Sequence, residues 1–262
     1  MVSAVFERSG ELFVPTAAAT GPWAADKLHG GPILGVLARE VERVASDPQL
    51  LCARLTVDMF RPAPHAPLAV RSEVVRQGGR LLVMQAGLFA GELEVARATA
   101  LLLRESDLPG TRHAAPARGY EGLPTESLMR GMRDPRVPLG FHTCVETRWP
   151  PRAAGDPLAI WFHWPLALVD SELPSPFQQA AALSDFANAV ASIADNQREN
   201  PAVPYINSDA TLYFSRRPEG EWFCLQELGS DVERGISVAE VVIADSRGVF
   251  GRVVQARLAL TR

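Results

Sequence analysis

The sequence predicts an α+β fold built from two tandem units, each a single long helix packed on an antiparallel sheet. Three observations carry the prediction. Long helical segments occur only twice, once in each half of the 262-residue chain. Each is followed by four strand-like runs separated by tight-turn residues. A short motif, Thr56-Val-Asp-Met-Phe-Arg-Pro62, returns with one inserted residue as Thr211-Leu-Tyr-Phe-Ser-Arg-Arg-Pro218, and each copy opens a set of strands.

At the start of the chain, Glu11–Val14 reads as a short strand ahead of Pro15 and an alanine-rich turn. The first helix is expected from Gly30 to about Val44. Ile33, Leu34, Leu37, Val41 and Val44 share one face, while Arg39, Glu40, Glu42 and Arg43 fall largely on the other. Pro48 and Gln49 end it. Strands follow at about 51–61, 68–78, 80–90 and 93–104, punctuated by Pro62/Pro64/Pro67, Gly78-Gly79 and Gly91-Glu92. Leu93, Val95, Arg97 and Thr99 alternate with Glu94, Ala96, Ala98 and Ala100, the period of a pleated strand. Beyond residue 104 prolines, glycines and scattered charges mark a linker, with a short helix at Glu126–Met132.

The pattern then restarts. Strands are expected near 139–148 and 157–165, followed by the Ser171-Glu-Leu-Pro-Ser-Pro176 loop and one helix from about Phe177 to Asn196. Strands at about 207–216, 221–231, 235–245 and 249–260 close the chain, with turns at Pro218–Gly220 and Asp245–Gly248. The division is residues 1–106 for the first unit, 107–137 for the linker and 138–262 for the second unit.

Composition narrows the function. Hydrophobic content of 47% and charged content of 21% fit a globular chain. A net charge of −4 and the absence of any Lys/Arg-rich block argue against a nucleic-acid partner. Lys27 is the only lysine. Cys52, Cys144 and Cys224 are far apart, so neither a disulfide framework nor a zinc site is expected, and the five histidines show no ligand spacing. No leader and no membrane span are visible, which makes a cytoplasmic protein the expectation.

Three segments could carry chemistry. Lys27-Leu-His29-Gly30-Gly31-Pro32 opens the first helix. Free N–H groups at a helix start favour negative charge, and glycines admit a ligand to the backbone; a plain tight turn is the alternative. Asp185 shares a polar stripe with Gln178, Asn188 and Ser192, yet between Ala180 and Asn196 the only other charged residue is Asp195. So bare a helix is covered on most sides, and a carboxylate there is either a hydrogen-bonded structural acid or a base. Gln255 lies on the strand row opposite Val254, Ala256, Leu258 and Leu260 and reads as surface polar. Asn207 reads as a strand-entry residue.

Taken together these segments resemble a known family. Leu-His29-Gly30-Gly31-Pro-x-x-Gly35 resembles the glycine pair opening the first helix of the TesB-like acyl-CoA thioesterase II enzymes. Ser184-Asp185, Asn207-Ser-Asp209-x-Thr-x-x-Phe-x-x-Arg217-Pro218 and Val-Val-Gln255 resemble that family's second half, in the same order. The resemblance implies a double hotdog, two helix-in-sheet units fused in tandem. It implies an acyl-CoA thioesterase of lipid metabolism, with acyl-CoA as substrate, no cofactor beyond the substrate's own CoA, no metal and a homo-oligomeric state. It assigns Asp185, Asn207 and Gln255 to the hydrolytic water, with Asn where some members carry a hydroxyl. It assigns amides around His29, Gly30 and Gly31, extending to Ile33, to the thioester carbonyl.

On this reading His29 packs beside the helix start, since no acidic partner is near it in sequence. Arg61, Arg216 and Arg217 are open to CoA phosphates but suit exposed strand ends better. A non-catalytic acyl-CoA binder is the alternative. A hydratase is disfavoured, because such enzymes pair an Asp with a His a few residues along the helix, and no histidine follows His163. The halves are unequal: Ala38, Arg39 and Glu40 stand in the first helix where an acid would match Asp185. One composite site is expected.

Overall fold

The computed structural model describes residues 3–107, 128–129, 139–153, 155–197 and 203–260. Strands β1 (Ala4–Ser9) and β2 (Leu12–Pro15) lead through a 3₁₀ turn at Ala17–Ala19 into helix α1 (Gly30–Val44). Ile33, Leu34, Leu37 and Val41 of α1 are buried as the periodicity predicts. Glu40, expected on the polar face, is only 6% exposed, because Arg43 and the Ser72 hydroxyl hydrogen-bond its carboxylate. The four expected strands are β3 (Leu50–Met59), β4 (Ala69–Gln77), β5 (Leu81–Ala90) and β6 (Leu93–Arg104).

The second unit departs from expectation at two places. The short helix expected at Glu126–Met132 lies outside the described residues except at 128–129, which form strand β7 (Leu128–Met129). Where a strand was expected near 139–148, a helical turn α2 (Phe141–Cys144) precedes β8 (Glu146–Trp149). The Thr143 hydroxyl accepts from the Gly140 N–H at 2.9 Å and the Phe141 N–H donates to the Thr20 carbonyl at 3.0 Å, which hold the turn against the first unit. Strands β9 (Ala159–His163) and β10 (Ala167–Val169) follow.

The second helix is divided into α3 (Pro176–Ser184) and α4 (Ala187–Gln197). Periodicity alone cannot show this break. The Ser184 hydroxyl donates back to the Ala181 carbonyl at 2.6 Å, and the Phe186 N–H reaches the Leu183 carbonyl rather than one a full turn back. Such side-chain competition tightens and bends a helix. Asp185 sits at the break.

Strands β11 (Tyr205–Asn207), β12 (Asp209–Phe214), β13 (Trp222–Glu233), β14 (Ile236–Asp245) and β15 (Gly248–Ala259) complete the chain. One sheet runs through both units in the order β4-β5-β6-β3-β12-β15-β14-β13-β9-β8-β7, with β11 also on β15. The units join where β3 pairs antiparallel with β12, and there the two copies of the sequence echo meet: Thr56 lies opposite Thr211. Antiparallel pairing of equivalent residues places a local two-fold axis between them. A second sheet also crosses the units, since β1 pairs parallel with β10 and antiparallel with β2.

Helices α1 and α3 pack closely at Gly35, where an added Cβ would stand 3.3 Å from Ala182 Cβ. One large apolar core extends through both units, and a smaller one around Trp161 and Cys224 lies in the second. Each fully buried Leu or Phe in it contributes roughly 1.5–3 kcal/mol relative to exposure. On β15 the burial is the reverse of the hydropathy reading. Val253, Gln255 and Arg257 face inward and are buried, whereas Leu258 lies on the outer surface. Arg257 is accepted inside because Asp195 and Ser237 bind its guanidinium at 3.0 and 2.6 Å.

Candidate active site

The start of α1 meets the α3–α4 break. His29 caps α1, its backbone extended at φ −71° and ψ 149°, so that its side chain turns back over the first helical turn. Its Nδ1 lies 2.9 Å from Asp185 Oδ2 and 3.1 Å from the Gly31 nitrogen. One ring nitrogen cannot donate to a carboxylate and accept from an amide at once. With the proton on Nδ1, His29 donates to Asp185 and the Gly31 N–H turns to the same carboxylate. This is the acidic partner that the neighbouring sequence did not offer His29, and it corrects the reading of His29 as a packing residue alone. It also supplies, from two helices, the Asp–His pair that one helix lacks.

Asp185 Oδ1 accepts from Asn207 Nδ2 at 2.8 Å. The carboxylate is 7% exposed. Burial alone would raise its pKa, but the hydrogen bond and charge of His29, then Asn207 and the Gly31 amide, outweigh burial and hold it below the ordinary carboxylate range. Asp185 is therefore ionised at neutral pH.

Gln255 completes the arrangement from β15. Asn207 pairs with Arg257 across β11 and β15, so Gln255, two residues from Arg257 on the same face, is a diagonal neighbour of Asn207. It is 0% exposed, and neither its amide oxygen nor its nitrogen has a hydrogen-bond partner among the described residues. An unpaired buried amide is costly, and such groups concentrate where a ligand or water completes them.

The glycine pair has a packing cause that the motif did not reveal. A Cβ on Gly30 would stand 2.6 Å from both carboxylate oxygens of Asp185, and one on Gly31 would stand 2.8 Å from the Ala182 carbonyl and collide with the Phe141 ring. The glycines admit a carboxylate, an aromatic ring and helix α3 to the backbone. Of the amides expected to serve as donors, that of Gly31 is already engaged. The Ile33 amide follows at the fourth position, where the residue one turn back is the cap His29, and Pro32 has no N–H. Gly30 keeps the first-turn N–H that no described residue accepts.

Sequence reasoning missed the aromatic surround. Phe141 and Phe186 lie 5.1 and 5.2 Å from the His29 ring, with Phe162 and Trp164 packed behind them. It also missed His142, stacked on His29 at 6.2 Å. These residues come from segments remote in sequence and carry no local motif. Arg216 is bound to Asp245 and the Gly248 carbonyl, and Arg217 to Glu105 and the Pro48 and Leu50 carbonyls, so both secure strand ends.

The two-fold relation shows why the arrangement around Asp185 is not repeated at the equivalent positions of the first unit. Thr56 faces Thr99 as Thr211 faces Val254, and this register carries Asn207 onto Cys52 and Gln255 onto Ala100. At the N-terminus of α3, Glu42 accepts from the Ser175 hydroxyl and Gln178 at 2.8 and 2.7 Å, beside a cavity of about 270 Å³ lined in part by Cys52, Leu102 and Phe177. Burial pushes the Cys52 thiol up to about 12. The amide pair that faces the carboxylate at the first site has no counterpart at the second.

Solved structures share this architecture. An acyl-CoA thioesterase II, TesB2, from Mycobacterium marinum is 16% identical, covering 98% of this chain and 94% of its own, with a TM-score of 0.65. A tesB protein from Mycobacterium avium subsp. paratuberculosis is 14% identical at 98% and 96% coverage, with a TM-score of 0.66. A hot dog fold protein from Alicyclobacillus acidocaldarius is 17% identical at 98% and 96% coverage, with a TM-score of 0.66. No curated protein sequence matches the chain. At these identities the structures establish the fold, a double hotdog. The family rests on sequence models: the acyl-CoA thioesterase N-terminal domain matches residues 19–103 and the C-terminal domain residues 116–259. With both halves accounted for in order, and with the buried Asp185 set lying between them, this chain belongs to the acyl-CoA thioesterase family of thioester hydrolases.

Proposed function

We propose that the protein hydrolyses an acyl-CoA to the free acid and CoA, using a water activated at Asp185. The single observation that carries this reading is the buried carboxylate held ionised by His29 and Asn207, with the Gln255 amide, unpartnered among the described residues, on the strand beside Asn207. Asp185 accepts a proton from the water, and Asn207 and Gln255 orient it. The hydroxide adds to the thioester carbon, the carbonyl oxygen takes up negative charge beside the Gly30 N–H, and collapse expels the CoA thiolate, which is then protonated. A positioned base contributes on the order of 10²–10⁴ in rate. The chemistry calls for no cofactor or metal.

A second reading of the proton's path is favoured by the 2.9 Å His29–Asp185 contact. There Asp185 orients the imidazole and Nε2 of His29 takes the proton, as in an Asp–His dyad. Thiol release from an acyl-CoA panel tests the proposal. Asp185→Asn is expected to lower kcat by 10²–10⁴ in a folded protein. Unchanged turnover would remove Asp185 from the chemistry. His29→Asn separates the two paths, since a near-wild-type kcat leaves Asp185 as the base.

A further inference from the structure

His142 is a buried imidazole that the reaction described above does not use. It is 8% exposed, and neither Nδ1 nor Nε2 has a hydrogen-bond partner among the described residues. Its ring is nearly parallel to that of His29, with centroids 6.2 Å apart and planes inclined by 16°. The neighbouring backbone is shaped around it: a Cβ at Gly140 would stand 2.8 Å from His142 Cε1. The turn that carries it is tied to the first unit by the Phe141 N–H bond to Thr20, and the Phe141 ring covers Gly31. The imidazole is thus positioned over the cap of α1 with its polar atoms unmatched.

Burial, and then the nearby charge of His29, push the His142 pKa down to about 4. At neutral pH the ring is uncharged and carries one N–H and one lone pair. A neutral imidazole can polarise a carbonyl without placing its own charge in this buried place. A donor is also wanting at this place. The Gly31 amide is engaged and Pro32 has none, so the first turn of α1 offers a substrate oxygen one N–H, that of Gly30.

We infer that His142 is a catalytic residue whose ring N–H donates to the thioester carbonyl oxygen, sharing the developing oxyanion with the Gly30 N–H. The inference rests on the thioester-hydrolysis reading. No bond to His142 forms or breaks, and the ring keeps its proton. Negative charge gathers on the oxygen as water adds, and leaves it when the carbon–sulfur bond breaks and CoA departs as thiolate.

The test compares wild type, His142→Phe and His142→Ala in acyl-CoA turnover and thermal unfolding. Loss of one oxyanion donor is typically 10²–10³ in kcat, and that is the expected loss in both variants. His142→Phe is expected to unfold at or above the wild-type temperature, because it removes two unmatched buried polar atoms. Added imidazole is expected to restore part of the His142→Ala turnover. Wild-type kcat in either folded variant, or destabilisation with unchanged turnover per folded molecule, overturns the inference. A wild type that releases no thiol from any acyl-CoA overturns the hydrolytic reading itself and this inference with it.

Discussion

Gly30→Ala isolates the placement of the Asp185 carboxylate from the folding of the chain. The added Cβ would stand 2.6 Å from both carboxylate oxygens, whereas ordinary contact begins at 3.4 Å, so the carboxylate must retreat by about 0.8 Å. It cannot do so freely, because His29 and Asn207 hold it at 2.9 and 2.8 Å. A displacement near 1 Å at a reacting group costs up to about 10²-fold in rate, equivalent to about 2.7 kcal/mol of barrier. The same substitution improves helix propensity by up to about 1 kcal/mol, which offsets local crowding, so the unfolding temperature is expected to shift by only a few degrees. Steady-state thiol release and thermal unfolding measure the two effects. A Gly30→Ala protein with wild-type kcat would refute the claim that turnover depends on the position of this carboxylate. Gly31→Ala is the contrasting change. Its Cβ meets the Ala182 carbonyl, a backbone atom that cannot rotate away, so the expected cost is stability, about 1–3 kcal/mol by denaturant unfolding.

Two further outcomes follow from the electrostatics. Because Asp185 is held below its ordinary value of 3.8, activity that depends on its ionised form is lost only as pH falls through that lowered value. A kcat/KM profile flat from pH 8 to about 5 supports Asp185 as the base, while an acid limb within that range would overturn that assignment. Arg257→Met removes the guanidinium bound to a mostly buried Asp195 and is expected to cost up to about 3–5 kcal/mol in urea unfolding; a loss below about 1 kcal/mol would show that contacts such as Ser230 carry Asp195.

Much of the architecture was legible in the sequence, because local patterns set it. Helix α1 and the strands β3 to β6 and β12 to β15 follow from apolar periodicity and turn chemistry, which act over a few residues, although the run expected at 207–216 is divided between β11 and β12. The duplication was legible in element order and in the Thr56 and Thr211 echo, and these threonines face one another at the joint between units. Asp185 stood out as a rare charge on a sparsely charged helix. Asn207 and Gln255 stood out only through family resemblance, since an amide on a strand has no signature of its own.

What the tertiary structure alone decided is what lies against what. The helix break at Asp185 depends on a side-chain hydroxyl competing for a backbone carbonyl, and the inward row of β15 depends on α4 and Asp195 lying over it. His29 gained its acidic partner because α1 and α3 pack at glycine distance, across 156 positions of sequence. His142 reached the site through a turn tied to Thr20 of the other unit. The sequence by itself determined two helix-and-sheet units and a carboxylate in need of a role. The packing of the two units, through side chains remote in the chain, determined which groups surround that carboxylate.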